Sequence, residues 1–313
     1  MKVNLPVHKG EVLDVTIMDL TYQGMGVAKV DNYPIFIENA LPEEKITVKV
    51  TKTTKNFAFG DVEKINQVSP HRVNPKGRVY RQTGIAPLQH LEYSEQLKFK
   101  QHQVAELFAK VHMDDVEVLP TIGMANPTQY RNKAQVPVRQ VQGQLTTGFY
   151  KKNSHQLMPI EDYYIQDPAI DKAIVVVRDI LRKYHEAAYD EFHHSGTIRT
   201  IMVRRGYYSH EMMVVIVTRT KHLPMADVVT QEIQAALPEV VSVIQNVNSK
   251  KTNVILGPVN NVLAGKATID DQLLGLTFAI SAQSFYQVNP QQTEKLYQLA
   301  IDQAGLTGNE TVI

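Results

Sequence analysis

Between residues 9 and 66 apolar side chains recur at every second position, at Leu13, Val15 and Ile17 and again at Ile46, Val48 and Val50. A period of two belongs to strands with one buried face. Gly24 and Gly26 punctuate the stretch between them, and Pro34 to Ile37 offers another short strand. Several short strands separated by turn signals predict a small barrel of the OB-like kind. Such barrels often hold nucleic acid, but many serve other purposes, so the pattern fixes a shape before it fixes a role.

The pattern breaks after residue 66. Residues 69–91 hold three prolines, two glycines and four basic side chains with no sustained period, as an irregular loop does. Ser94 is placed to cap a helix running to about Val111, with Leu97, Val104, Leu107 and Phe108 as an apolar stripe for core packing. Strands are predicted near 134–138 and 145–150, a helix over 168–185, and a strand pair over 198–206 and 211–219. Another strand fits Val240–Val247, and a single β segment fits 273–281. Asn289 can cap the next helix, Pro290 suits its first turn, and Gly305 sits where it should stop. Glu310 to Ile313 reads as the opening of a strand.

Charge narrows the function classes. The net charge is only +1, yet residues 67–160 carry 12 Lys and Arg against 6 Asp and Glu, whereas the flanking segments are net negative. That concentration fits either a polyanion-contact surface or a solvated loop region. No apolar run approaches the ~20 residues that span a bilayer, and the first residues lack the apolar core of a secretory signal. A cytoplasmic protein without a membrane partner is the default expectation. Cysteine is absent from all 313 residues, which excludes disulfides, thiolate metal sites and a cysteine nucleophile within them. The 11 histidines show no metal-ligand spacing, so no metal site is expected.

Two segments could carry chemistry. Tyr130-Arg131-Asn132-Lys133 and Gly148-Phe149-Tyr150-Lys151-Lys152 place basic clusters and aromatics on what read as neighbouring strands. Arg and Lys there could meet phosphates while Phe149 or Tyr150 stacks on an unpaired base. A polar sheet face with two core aromatics would read the same way. Ser284-Phe285-Tyr286-Gln287-Val288-Asn289-Pro290 is a strand-to-helix junction, a common place for ligand contacts and equally a plain capped helix start.

Taken in order, four stretches give the chain a resemblance to a known family. They are Gln23 to Val30 (QGMGVAKV) with Pro34 to Ile37 and Leu41-Pro42; Leu88-Gln89-His90-Leu91 with the Ser94 helix; Tyr130 to Lys133 with Gly148 to His155; and Gly275-Leu276 through Ser284 to Asn289. Together they resemble the TRAM-domain-containing RNA (uracil-5-)-methyltransferases. The resemblance implies an α+β, multidomain fold. It comprises an OB-like TRAM barrel over 1–66, a mixed α/β central RNA-binding domain over 67–275, and the start of a Rossmann-like methyltransferase domain over 276–313. The 94–111 helix would pack on that catalytic domain.

The implied cofactor is S-adenosyl-L-methionine, with Gln287 contacting it. The implied partner is RNA, met by Arg131, Lys133 and Lys152, with Phe149 as the stacking candidate. The TRAM domain points to 23S ribosomal RNA, with transfer RNA second. In that family a cysteine thiolate adds to uracil C6, the resulting enolate takes the methyl group, and a base removes the C5 proton from an extruded nucleotide. The resemblance places that cysteine and base beyond Ile313, so the chain is expected to be a C-terminally truncated front portion, inactive by itself. Many members also hold an iron–sulfur cluster on four cysteines. The matching positions are Gly77, Thr83, Ala86 and Tyr163, none of which is a thiolate, so no cluster is expected. The rival expectation is a non-catalytic RNA-binding protein, a chaperone or assembly factor built from the same front half.

Overall fold

The computed structural model describes residues 5–75 and 82–311, arranged as two compact units, Met1–Gly123 and Met124–Ile313.

In the first unit, strands β1 (Val12–Thr16), β2 (Asp19–Leu20), β3 (Gly26–Val30), β4 (Tyr33–Ile37), β5 (Lys45–Thr53) and β6 (Ala58–Gln67) form one sheet in the order β1-β5-β6-β4-β3-β2. The sheet curls around a core of Val15, Ile17, Ile35, Ile37, Ile46, Val48 and Val50. These include five of the six alternating residues, because period-two alternation puts one set of side chains on the concave side. Gly60 lies where β5 crosses close, and a Cβ there would stand 2.4 Å from Val48 Cγ2.

Beyond the barrel, Leu20 and Leu41 pack with Leu91, Leu88 and Phe99. Backbone bonds from Val73 N to His90 O (2.9 Å) and Glu92 N to His71 O (2.9 Å) lace the two ends of the irregular loop together. This lacing decides where helix α1 (Tyr93–Lys110) begins. Glu92, not Ser94, is its N-cap residue: the Glu92 carbonyl accepts from the Glu95 and Gln96 amides, and no side chain caps it. Ser94 therefore falls inside the first turn. The expected stripe is not core either. No residue of α1 is buried, and Leu107 is 63 % exposed.

The second unit is built on a seven-stranded sheet. Its strands are β7 (Lys133–Val141), β8 (Gln144–Tyr150), β9 (Leu157–Pro159), β10 (Ile198–Arg205), β11 (Met212–Thr218), β12 (Val240–Val247) and β13 (Val259–Gly265), in the order β13-β12-β11-β10-β7-β8-β9. Only β11 and β12 are parallel, joined through helix α3 (Ala226–Ala236), and α2 (Pro168–Lys183) packs beside it. Every residue of β11 is buried, the mark of a central strand covered on both faces.

The two helices cover one face. The other is covered by a hairpin of β14 (Thr268–Leu273) and β15 (Leu276–Ser281), through Ile269, Ile280 and Ala282 against Met202, Met213 and Val215. The expected single β segment over 273–281 is thus the tip and second strand of a hairpin. Leu274 and Gly275 both take positive φ, 49° and 78°, which turns the chain between two period-two runs. Helix α4 (Pro290–Ala304) follows as expected, capped by Asn289 and stopped at Gly305 in the left-handed region. Glu310 does not open a strand: its carboxylate accepts from the amides of Thr307, Gly308 and Asn309. Val312 and Ile313 lie outside the described residues, as does Gly77. Among the described residues no helix is long and apolar enough to cross a membrane.

Candidate nucleic-acid interface

The structure joins one of the two basic stretches, Tyr130–Lys133, to the strand-to-helix junction at 284–290. Asn132, at the entry to β7, donates from its backbone amide to Val288 O (3.1 Å) and from Nδ2 to Gln287 O (3.1 Å). Its own carbonyl accepts from the Arg205 amide (2.9 Å), and the residue is 8 % exposed. One buried asparagine therefore fixes the Tyr130–Lys133 stretch to the junction that leads into α4.

Around this clamp lies a set of cations without anions. Lys133 stands opposite Arg204 in the β7–β10 register. The buried Arg204 guanidinium donates to the carbonyls of Ser284 (2.6 Å) and Ala282 (3.3 Å), while its Nε has no partner among the described residues. Neither Arg131 nor Lys133 has a carboxylate in ion-pair range among the described residues. Burial, then the charges of Arg204 and Arg131, hold the Lys133 ammonium below the usual lysine range. Burying like charges together is unfavourable, and an anion brought between them would relieve the cost. The neighbouring Arg205 is different, being paired with Asp167 (2.9 Å) and Glu239 (2.8 Å), and it serves the fold.

Gln287 is half-buried beside the clamp, and its side-chain amide has no hydrogen-bond partner among the described residues. A fixed backbone with an unspent donor and acceptor is what a polar ligand contact requires. Tyr286 points the other way, into the hairpin core. Burial, with the Asp271 charge and hydrogen bond after it, pushes its phenol up to about 12. Phe285 next to it is 82 % exposed, an aromatic that the sequence presented as part of a capped helix start.

Phe149 and Lys152 lie elsewhere on the unit, at the end of β8 and in the exposed turn after it. The Phe149 ring packs edge-on against Tyr163 at 5.1 Å, and the Tyr163 ring, at one of the four positions that the resemblance matches to cluster cysteines, fills core space. Of the others, Thr83 is also buried. No group of three or more His, Cys, Asp or Glu among the described residues is placed to hold a metal.

Phe149 faces a groove of about 1730 Å³. Arg199, unremarked in the sequence, ties down one wall of it. Its guanidinium donates to the carbonyls of Asn248 (3.0 Å), Lys250 (2.6 Å) and Thr252 (2.9 Å) and lies 4.3 Å from the Tyr189 ring centroid. Arg199→Ala should cost about 1–3 kcal/mol, since one buried and two part-buried carbonyls lose their donor. Urea unfolding should show that loss, and amide exchange should quicken across residues 249–255. Unchanged exchange there would remove Arg199 from this role.

Comparison with known proteins follows the same lines. The TRAM domain family matches residues 6–62. An uncharacterized RNA methyltransferase of Enterococcus faecalis is 53 % identical over 311 residues, covering 99 % of this chain and 68 % of that protein. A counterpart in Streptococcus agalactiae is 49 % identical over 308 residues, covering 98 % and 68 %. Among solved structures, the Pyrococcus abyssi tRNA (uracil-54, C5)-methyltransferase in complex with S-adenosyl-L-homocysteine superposes with a TM-score of 0.71. It is 22 % identical and matches 92 % of this chain and 64 % of its own, a likeness of fold.

Proposed function

Because this chain belongs to the TRAM-domain-containing RNA methyltransferases, we propose that it is the RNA-holding part of an enzyme that methylates C5 of uridine. S-adenosyl-L-methionine would be the methyl donor, 23S ribosomal RNA the substrate and the cytoplasm the place of work. One observation carries the reading: Asn132 joins the carboxylate-free cations Arg131 and Lys133 to the backbone of Gln287. A phosphate at the cations and a cofactor at the glutamine would then be held on a single rigid support, so that orientation is set before reaction. Arg131 and Lys133 bind and orient the RNA backbone, and the Gln287 amide meets the cofactor. When bound, the cofactor supplies an electrophilic methyl group. The cysteine and base that the chemistry requires would come from further chain.

On this reading residues 1–66 and 67–275 are the barrel and the central RNA-binding domain, and 276–313 begin the cofactor domain. The outward-facing Leu296, Tyr297 and Ile301, which share one side of α4, support the last of these, since an exposed apolar helix side suits burial by further chain.

The test is methyl transfer by the protein carrying this chain, given labelled cofactor and transcripts of 23S ribosomal RNA and of transfer RNA. Mass spectrometry should find 5-methyluridine in the ribosomal transcript. Label in transfer RNA alone would move the substrate to that branch, and label in neither sinks the proposal. Gln287→Ala should raise KM for the cofactor about tenfold, the worth of one good hydrogen bond, and leave RNA affinity unchanged.

A further inference from the structure

The groove on the second unit has features that the clamp does not explain. On its floor the Arg139 guanidinium lies between two aromatic rings, 5.4 Å from the Tyr150 centroid and 5.5 Å from the Tyr189 centroid. Arg139 Nε is buried there without a hydrogen-bond partner among the described residues. On its rim Phe192 is 82 % exposed. Single exposed apolar residues are ordinary on any surface, but this one is held out by a braced turn. The Asp190 carboxylate accepts from the amides of Phe192 (2.8 Å) and His193 (3.2 Å) and bonds the His193 ring (2.6 Å). His194 bridges Tyr189 Oη (2.9 Å) and Ser249 O (3.1 Å), and Lys251 Nζ donates to Phe192 O (3.3 Å). Six polar contacts thus fix a turn whose most prominent side chain touches little beyond the His193 ring.

Charge says which ligand fits. Arg139, Arg199 and Lys251 bring positive charge, but two carboxylates line the same groove: Glu191, bonded to Arg139 (3.3 Å) and His155 (2.7 Å), and Asp190 under the Phe192 turn. A duplex holds its bases inside and offers phosphates, which a partly neutralised groove meets weakly. An unpaired strand offers ring faces, and aromatic and guanidinium planes are the surfaces on which those stack.

Building on the RNA-binding reading above, we propose that this groove takes a single-stranded segment of RNA, with an unpaired base stacked on Phe192. Arg139 supplies the unspent Nε–H to a base edge or phosphate deeper in the groove. The segment is distinct from whatever meets Arg131 and Lys133.

The chain contains no tryptophan, so Phe192→Trp creates a single fluorescent reporter at the site. A uridine-rich single-stranded hexanucleotide should quench it on binding, and a blunt RNA duplex should not. Phe192→Trp should match or exceed the parent's affinity, whereas Phe192→Ala should lose on the order of tenfold for the hexanucleotide and nothing for the duplex. Circular dichroism of both variants should match the parent, since an exposed ring carries no core packing. Unquenched tryptophan when anisotropy shows a labelled hexanucleotide to be fully bound would falsify the proposal, as would a Phe192→Ala variant that binds like the parent. If those results come while Arg131→Ala still weakens RNA binding, the groove assignment falls and the RNA reading stands. A parent chain that binds no RNA at all ends both.

Discussion

Replacing Arg131 and Lys133 together by alanine will weaken RNA binding by one to two orders of magnitude and flatten its dependence on salt. Each phosphate contact to a single strand contributes a slope of about 0.7 in log K against log salt, so losing two should reduce the slope by about 1.4. Fluorescence anisotropy with a 23S-derived fragment between about 50 and 200 mM salt reads both quantities. The same variant separates binding from folding. Lys133 is held below its usual range by burial and by the neighbouring arginines, so removing it relieves repulsion in the free protein. Thermal stability should stay level or rise slightly while affinity falls, as expected where a site gives up stability for a ligand. Lost affinity with an unchanged slope would mean that the two cations do not meet phosphates.

Glu44→Ala will unfold the barrel more readily than any surface change. The residue is 0 % exposed, and its carboxylate accepts from Arg72 Nε (2.6 Å), Arg72 Nη2 (2.9 Å), the Leu41 amide (2.9 Å) and the Ser69 amide (3.4 Å). Alanine leaves Arg72 and two amides without their acceptor. Breaking a buried pair in this way costs about 3–5 kcal/mol, or roughly 10–20 °C in the melting midpoint of a unit this size. Burial alone would push the Glu44 carboxyl up. The Arg72 hydrogen bond, the Leu41 amide, the Arg72 charge and the Ser69 amide outweigh it and hold the group below the usual carboxylate range. A carboxylate with a lowered folded pKa adds stability above its unfolded value, near 4.5, and loses that contribution as pH falls through the folded value. Urea midpoints of the parent should therefore drop below about pH 4.5, and Glu44→Gln should remove that part of the drop. A Glu44→Ala protein that melts with the parent would show that the pair stabilises nothing.

The same residue shows how a loop can be held without a cluster. Arg72 reaches from the irregular segment into the barrel to Glu44 and also donates to Asn39 O (2.6 Å), while its backbone pairs with Leu91. The proline-rich composition of 69–91 announced a loop correctly, but nothing in it names Glu44 as the anchor. Glu44 stands in a turn between Leu41-Pro42 and β5, where a carboxylate would ordinarily be solvated. Its burial is a tertiary event. The start of α1 follows the same logic: Ser94 had the right chemistry for a cap, but backbone lacing at Glu92 fixed the chain first.

Local pattern decided the barrel strands, by alternation, the central strands, by nearly unbroken apolar runs, and the α4 helix, by its Asn289 cap and Gly305 stop, because each of these signals depends on neighbours within a few residues. The absence of cysteine by itself closed off thiolate chemistry and a cluster in these residues. Order along the chain was enough to reveal the family. The hairpin turn at Leu274-Gly275 and the exposure of the α1 stripe were not legible. In each, contacts from distant segments, or the lack of them, overrule local preference. The site itself belongs to this second class. Arg131, Lys133 and Gln287 were readable as residues, but Asn132 joins segments 155 positions apart, and Arg204 acts through carbonyls of the chain that crosses it. Burial created the uncompensated charge there, and burial is decided only once the sheet and its hairpin have closed.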